Sequence, residues 1–259
     1  MTASLFLPRP SGLHRLNPLT KLALALAAVV AAASLRTLPA ILAVFLIYLL
    51  PLAAWGRLLR PFLRTCARVI WPFVVSLFPI QGFFAPGETV LLTLGPFSLK
   101  AEGLWIAGLL TARILVGLGA ATLLMLSTRP DHLMLVLVQR GLPGQVAYIV
   151  VTALQIIPNF QVRAQAILDA QRSRGLETEG SLIRRVRALA PLVSPLVLGS
   201  LMGLEERAIA LEARAFTRQG PKTTLQEIPD RGLERLFRWM LALAVLALIA
   251  ARFVWTAFP

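Results

Sequence analysis

Two short segments of the chain could make specific charged contacts, namely Ser173-Arg174-Gly175 and Ala213-Arg214-Ala215. In each, small residues flank an arginine and would let another protein's backbone approach closely. A guanidinium is a planar fork of five N–H donors that suits carboxylates and helix-end carbonyls. An arginine at a helix C-terminus is also ordinary capping. The repetition of the pattern forty positions later favours docking onto a partner with two acidic grooves, supported by the neighbouring Arg172 and Glu212.

Residue types needed for catalysis or metal binding are scarce. A single cysteine, Cys66, and two distant histidines, His14 and His132, leave no disulfide framework and no metal-ligand cluster. No carboxylate pair or Ser-His arrangement falls in an apolar segment, and no GxxxxGK[ST] segment could cradle phosphates. We therefore predict a non-catalytic chain that holds no metal or cofactor, with any ATP bound by partners.

The composition points to a membrane. Hydrophobic residues make up 57% of the 259 residues and charged residues only 15%, with a mean hydropathy of +0.75. Each apolar stretch is close to the ~20 residues that cross a bilayer as a helix. We predict an all-α integral membrane protein with five spans, near residues 19–35, 38–55, 69–84, 104–126 and 236–258. Residues 1–126 would form an N-terminal bundle, 127–235 a cytoplasmic region and 236–259 a final helix.

The distribution of basic residues sets the predicted orientation. The N-terminal segment has three Lys or Arg residues, counting Lys21 at the start of the first span, and the following segments between the spans have one, four, one and fourteen. By the positive-inside rule, the N-terminus and residues 127–235 are cytoplasmic and the C-terminus is outside the cell membrane. The fourteen basic residues of the long segment stand among ten acidic ones without interleaved aromatic residues. Nucleic-acid binding is therefore not expected from the net charge of +14.

The cytoplasmic region is predicted to contain three amphipathic helices. The first, capped by Thr128 with Pro130 in its first turn, runs to about Arg140. The second follows Gly144, bends at Pro158 and ends at the first arginine tripeptide, where Gly175 suits the left-handed position after a helix. The third runs from Ser181 to the second tripeptide, with an apolar seam at residues 201, 204, 208, 211 and 215.

Two apolar runs inside this region leave the number of spans open. The run of residues 146–157 is short for a helix that crosses a bilayer. The run of residues 188–204 is long enough but is interrupted by proline and glycine. Either run could be a further span. Crossing with only one of them would invert the final helix.

Arg113 falls near the middle of the fourth predicted span, where a charge costs at least ~2.5 kcal/mol. It needs a partner unless it reaches the interface. One interpretation is a polar contact between helices or subunits that serves assembly or transport. The other is a structural ion pair or carbonyl contact within the bundle.

The sequence resembles the transmembrane T component (EcfT family) of energy-coupling factor (ECF) transporters, which are ABC-type importers. The similarity covers about residues 11–258. Both tripeptides carry it, although the first has serine where the family has alanine and the second has alanine where the family has glycine. The other matching segments are Leu13-His14-Arg15-Leu16-Asn17-Pro18-Leu19-Thr20-Lys21-Leu22, Ser127-Thr128-Arg129-Pro130-Asp131 and Arg140-Gly141-Leu142-Pro143.

The resemblance implies a coupling role. Such T components link two ABC-type ATPase subunits, a homo- or heterodimer that binds ATP and Mg, to a small membrane substrate-binding S component. Arg174 and Arg214 would contact acidic residues in the ATPase grooves. Closure of the ATPases would move the arginine-tipped ends and topple the S component in the bilayer. Residues 154–160 look more like the vitamin-type branch than the cobalt branch of the family.

Two other classes of function are weighed against this one. A conventional ABC permease would form its own substrate path and carry a single coupling loop with a Glu-Ala-Ala signature before a glycine, which the sequence lacks. An intramembrane enzyme would need a nucleophile, a base or a metal site in the spans.

Overall fold

The computed structural model describes residues 11–94, 97–175, 182–216, 218 and 228–257, without the side chains of residues 94, 97, 182–191 and 253–257. Helices dominate these residues and confirm the all-α membrane class. Following the chain, they are α1 (Gly12–Arg15), α2 (Pro18–Ser34), α3 (Leu38–Trp55), α4 (Leu59–Phe84), α5 (Ala101–Ser127), α6 (Pro130–Gln139), α7 (Gly144–Ser173), α8 (Leu182–Ala213) and α9 (Gly232–Ala257).

A small antiparallel hairpin interrupts the helical pattern. Strands β1 (Val90–Leu94) and β2 (Phe97–Lys100) pair between α4 and α5. The sequence pattern predicts a loop between α4 and α5 and does not indicate these strands. Valine, threonine and phenylalanine favour extended backbone here, but the runs are too short for periodicity to identify them.

The chain divides into two compact units. Residues 137–227 form one, and the helices before and after them form the other. The final helix, α9, therefore packs in the same unit as α2 to α5, whereas the sequence analysis separated it as its own segment. The predicted bounds of the second and third helices of the cytoplasmic region agree with α7 and α8. Ser181, the predicted start of the third, lies outside the described residues.

Four of the described helices are long and apolar enough to cross a bilayer, namely α3, α4, α5 and α7, and α2 is apolar but has only 17 residues. Helix α7 was predicted to be cytoplasmic, with a crossing left open. The structure shows why the sequence was ambiguous, because α7 continues without a break through Pro158 to Ser173. The total number of spans stays a prediction.

The larger unit has its core where α2, α3, α4 and α5 meet. Ile41, Leu49, Phe62 and Val116 are almost completely buried there. The rings of Phe45 and Phe62 stack with centroids 5.8 Å apart. The buried side of each apolar helix faces its neighbours, and the exposed apolar side is the one available to lipid.

Helix α3 changes its winding in the middle. Pro51 has no N–H to continue the α-helical ladder, and the preceding N–H, that of Leu50, reaches back to the carbonyl of Phe45. This five-residue step makes Val44–Leu49 π-helical. The wider turn places Phe45 and Leu49 in the core.

Contacts with α2 fix the relative directions of α5 and α9. Thr20 and Ala33, near the two ends of α2, meet Arg238 and Arg252 of α9 in that order, so α9 runs parallel to α2. Lys21 meets Ser127 at the end of α5, which is antiparallel to α2. The end of α5 and the start of α9 therefore lie at the same end of α2. The number of crossings between them stays a prediction.

Helices α4 and α5 approach closely at two glycines. A Cβ added at Gly103 would collide with the carbonyl oxygen of Gln81 and lie 3.0 Å from the Cα of Gly82. These are backbone atoms, which cannot move aside as a side-chain end can. A glycine at position 103 is therefore needed for this helix contact.

We expect Gly103→Ala to lower the free energy of unfolding by about 1–3 kcal/mol, since the two helices must separate. Thermal unfolding in detergent measures the effect. The control is Gly117→Ala in the same helix, where an added Cβ meets nothing within 4 Å. That variant should be neutral or slightly stabilising because alanine favours a helix. Equal unfolding temperatures for the two variants would contradict the assignment.

Candidate protein-docking site

Helices α7 and α8 form an antiparallel hairpin. Near the middle of the pair, the Arg163 guanidinium donates to the carbonyl of Gly199 at 3.4 Å. At one end, the rings of Tyr148 and Phe216 lie 5.2 Å apart. The predicted apolar face of the second half of α7 is confirmed, because its residues are half-buried while the intervening polar residues are exposed; the half-buried ones are Phe160, Ala164, Ile167 and Leu168.

The first arginine tripeptide lies at the end of α7. Gly175 has a φ of +90° and its N–H donates to the carbonyl of Arg172 at 2.9 Å. This left-handed helix end confirms the prediction for Gly175. The Ser173 hydroxyl donates to the carbonyl of Asp169 at 3.1 Å, and the Asp169 carboxylate lies 3.7 Å from the Arg172 guanidinium.

The second tripeptide ends α8 in the same way, with alanine in place of glycine. Ala215 has a φ of +55° and its N–H donates to the carbonyl of Glu212 at 2.8 Å. The N–H of Phe216 donates to the carbonyl of Leu211 at 2.9 Å. The two bonds form a Schellman motif, for which glycine is the usual residue. The left-handed alanine was not anticipated from the sequence.

Arg174 and Arg214 therefore occupy equivalent positions, each directly before a left-handed residue. Both are exposed. Within the described residues, neither guanidinium is engaged by a hydrogen bond or an ion pair. Both guanidinium groups are therefore available to a binding partner, and the small residues that flank each arginine leave space for it.

The hairpin places the two arginines far apart. Phe216 brings the end of α8 against Tyr148 near the start of α7, whereas Arg174 follows the end of α7. The helix from Tyr148 to Arg174 is about 39 Å long at 1.5 Å per residue. The two arginines, which we call the tips of the hairpin, therefore lie at opposite ends of the helix pair. This separation suits two binding partners.

A polar cluster surrounds the first turn of α2. The Asn17 side chain accepts the N–H of Leu19 at 3.0 Å and so caps the helix. The Glu234 carboxylate of α9 accepts the Asn17 N–H at 2.8 Å and the Thr20 hydroxyl at 3.1 Å. A carboxylate at a helix N-terminus is favoured by the helix dipole.

Basic residues complete this cluster. Lys21 is only 6% exposed, and its ammonium donates to the carbonyls of His14 and Ser127 at 3.1 and 2.8 Å. The Arg238 guanidinium donates to the Thr20 hydroxyl at 3.1 Å and to both carboxylate oxygens of Asp230 at 2.8 Å. We call Asn17, Thr20, Lys21, Asp230, Glu234 and Arg238 the α2 cap cluster.

The sequence pattern did not predict the α2 cap cluster. In that pattern Lys21 is a charge flanking a span, and the acidic residues are only part of a loop total. The Asn17-Pro18 pair is a local helix-start signal and could have indicated the capped end. No local signal points to Glu234, which is 217 positions away.

The turn after α5 differs in detail from the prediction. Helix α6 begins at Pro130, so Thr128 is one position too early to be its cap, and its hydroxyl instead lies 3.4 Å from the Ser127 hydroxyl. Arg129 makes the local contact, with its guanidinium 2.7 Å from the Asp131 carboxylate. Burial raises the pKa of Asp131, but the hydrogen bond and charge of Arg129 outweigh it and hold the pKa below its usual value. The predicted end of this helix is confirmed by left-handed Gly141.

Arg113 caps the other end of α2. Its guanidinium donates to the carbonyl of Leu35 at 3.2 Å, and that of Arg252 donates to the carbonyl of Ala33 at 2.7 Å. The last carbonyls of a helix lack partners within it and form its negative end. The contact is the carbonyl contact within the bundle that was one of the two interpretations. A role for Arg113 toward another subunit stays a prediction.

The described residues offer little to a cofactor. No group of three or more His, Cys, Asp or Glu residues among them could hold a metal ion. A cavity beside Lys21, lined mainly by leucine and alanine, is little larger than a water molecule. The binding of ATP and Mg by partner subunits stays a prediction.

One family model matches the stretch of the chain that contains the N-terminal motif and both arginine tripeptides. The family described as cobalt transport protein, CbiQ, matches residues 10–225. The chain belongs to this family of transporter proteins. Its curated relatives include the energy-coupling factor transporter transmembrane protein EcfT of Heliobacterium modesticaldum, with 32% identity over 90% of each chain.

Further EcfT proteins extend this match. Those of Listeria innocua and Thermosediminibacter oceani are 29% and 26% identical, each over at least 96% of both chains. The chain is therefore the T component of an ECF transporter and a multi-pass membrane protein. The resemblance stated from the sequence is confirmed.

We expect Ala215→Gly to stabilise the end of α8 by about 1 kcal/mol, because glycine adopts the left-handed conformation without a Cβ penalty. Slower amide hydrogen exchange in the last turns of α8 measures it. The control Ala213→Gly in the same tripeptide lies inside the helix and should speed exchange. Faster exchange in Ala215→Gly would contradict the assigned helix end.

Proposed function

We propose that this T component transmits the ATP-driven movement of two cytoplasmic ATPase subunits to a membrane S component, for uptake of a vitamin or other micronutrient. The observation that carries the proposal is a pair of exposed arginines at opposite ends of the α7–α8 hairpin, whose guanidinium groups have no hydrogen bond or ion pair within the part of the chain that the structure describes. Each ends a helix in the same left-handed turn. One arginine would dock in each ATPase subunit.

The geometry of the tips suits insertion into a groove. Each helix ends at the residue before its arginine, and the residues on both sides of each arginine in the sequence are small. A partner carboxylate could accept two parallel N–H bonds from the fork. Ser173 and Ala213 keep the approach free, while Arg172 and Glu212 lie just behind the tips, where they would meet the rim of the groove.

The separation of the tips supports two partners rather than one. About 39 Å of helix exceeds the width of a small binding groove and is comparable with the size of a domain. Closure of an ATPase pair on binding ATP would bring the docked tips toward each other. Because α7 and α8 are in contact near Arg163 and Gly199, that movement would turn the helices about their contact.

An apolar face of α8 offers a surface to the S component. Leu201, Leu204 and Ile209 are each more than half exposed. The first two belong to the predicted apolar seam. Such a row of exposed apolar residues on one helix needs a cover of lipid or protein. In the proposed complex, rotation of α7 and α8 would be passed through this face to the S component.

The proposed orientation combines charge with geometry. Helix α5 ends and α9 begins at one face of the larger unit, next to Lys21. The excess of basic residues at this face makes it cytoplasmic in our proposal. The N-terminus and the arginine tips are then on the ATPase side, and α9 ends outside.

We expect the double substitution Arg174→Glu with Arg214→Glu to abolish co-purification with the ATPase pair or to uncouple ATP hydrolysis from uptake, because two attractive contacts become repulsive. Each substitution alone should be milder, since one tip remains docked. Co-purification in mild detergent and uptake into proteoliposomes measure these effects. A double variant that assembles and transports like the parent would refute the docking assignment.

A control for general positive charge is Arg207→Glu with Arg218→Glu. These two exposed arginines lie on either side of the second tip and change the net charge by the same amount. If docking depends on the forks at the helix ends, this variant keeps most of its assembly. Uptake by the parent chain and ATPases without any S component would favour a conventional permease instead.

A further inference from the structure

We infer that the α2 cap cluster is the joint through which movement of the α7–α8 hairpin reaches the transmembrane helices. This inference rests on the proposed coupling function. Its basis is that one turn of α2 binds both the last residue of α5 and the first turn of α9, the two helices that flank the segment carrying the hairpin. The residues that make the joint are Thr20 and Lys21, together with Glu234.

Consecutive residues of α2 bind the two connections. Lys21 donates to the carbonyl of Ser127, the last residue of α5, and α6 then leads to the hairpin. Thr20 donates to Glu234 in the first turn of α9, which follows the hairpin in the chain. The end of α5 and the start of α9 are thereby tied to the same helical turn. Displacement of either helix end must act on α2.

The contacts are of a kind that resists displacement. Lys21 is buried, so separation from the Ser127 carbonyl would leave its ammonium with the His14 carbonyl as its one remaining acceptor among the described residues, in a poorly solvated place. Glu234 joins two helices by accepting both a backbone N–H and a hydroxyl. The cluster has two acidic and two basic side chains, so their charges balance. Such networks are stronger than their separate bonds because each bond polarises the next.

The opposite end of α2 provides an internal comparison. There, Arg252 of α9 donates to the carbonyl of Ala33. This contact joins the same two helices, α2 and α9, as Glu234 does. Neither the end of α5 nor the start of α9 lies at that end of α2. If both contacts only stabilised the fold, removing either one should affect uptake per ATP to the same extent. If the α2 cap cluster is a joint, only its removal should lower this ratio.

The test uses the whole complex, with the ATPase pair and an S component, reconstituted in liposomes. Assembly, ATP hydrolysis and substrate uptake are measured together, and the readout is substrate taken up per ATP hydrolysed. Glu234→Ala and Lys21→Met should each assemble and hydrolyse ATP, but lose about tenfold or more in this ratio, as expected for a lost charged hydrogen bond. Glu234→Gln should recover most of it, because its amide oxygen can still accept both bonds.

Arg252→Gln is the matched control, since it weakens the same helix pair away from the connections. It should keep the parental ratio. The inference is wrong if Glu234→Ala keeps that ratio, if Arg252→Gln loses as much, or if Glu234→Ala abolishes assembly altogether. Failure of the parent chain to assemble with ATPases would instead refute the proposed function.

A covalent link gives an independent test. In a background with Cys66 replaced by serine, Thr20→Cys with Glu234→Cys breaks the joint and should lower uptake per ATP. A short thiol cross-linker between the two cysteines replaces the lost contact and should restore the ratio. The inference is overturned if the cross-link forms completely and the ratio stays low.

Discussion

The ends of α2 have to be satisfied by groups from other helices, and the larger unit is arranged around that constraint. A helix leaves its first N–H and last C=O groups without partners, and hydrocarbon offers no water to replace them. With 17 residues, α2 is short for a bilayer. Its ends therefore lie where side chains from α5 and α9 must reach them.

The charges at the two ends follow the helix dipole. Glu234 stands at the positive N-terminal end, while Arg113 and Arg252 stand at the negative C-terminal end. This arrangement fixes both the direction and the register of α9 along α2. It also explains how an arginine is tolerated within an apolar helix, because Arg113 donates to a backbone carbonyl that would otherwise lack a donor.

The ends of α7 and α8 show the contrasting design. Their terminal carbonyls are closed by local left-handed turns, so no other helix is needed to cap them. The preceding arginines are consequently left exposed for a partner. Helix ends inside the bundle hold the unit together, and helix ends on the hairpin are open for docking. In the proposed mechanism, the α2 cap cluster ties the end of α5 to the start of α9, the helices that flank the segment carrying the hairpin.

Local patterns in the sequence determined the membrane class, the bounds of α7 and α8, the left-handed Gly175 and the two arginine tripeptides. Composition, helical periodicity and glycine preference act over a few residues and can be read directly. The tertiary structure alone decided that α9 packs on α2, that the arginines lie at opposite ends of an antiparallel pair and that Ala215 is left-handed. It also revealed Lys21 and Glu234 as connecting residues. These features depend on partners up to 217 positions away, and no local preference of the chain specifies which distant groups will meet.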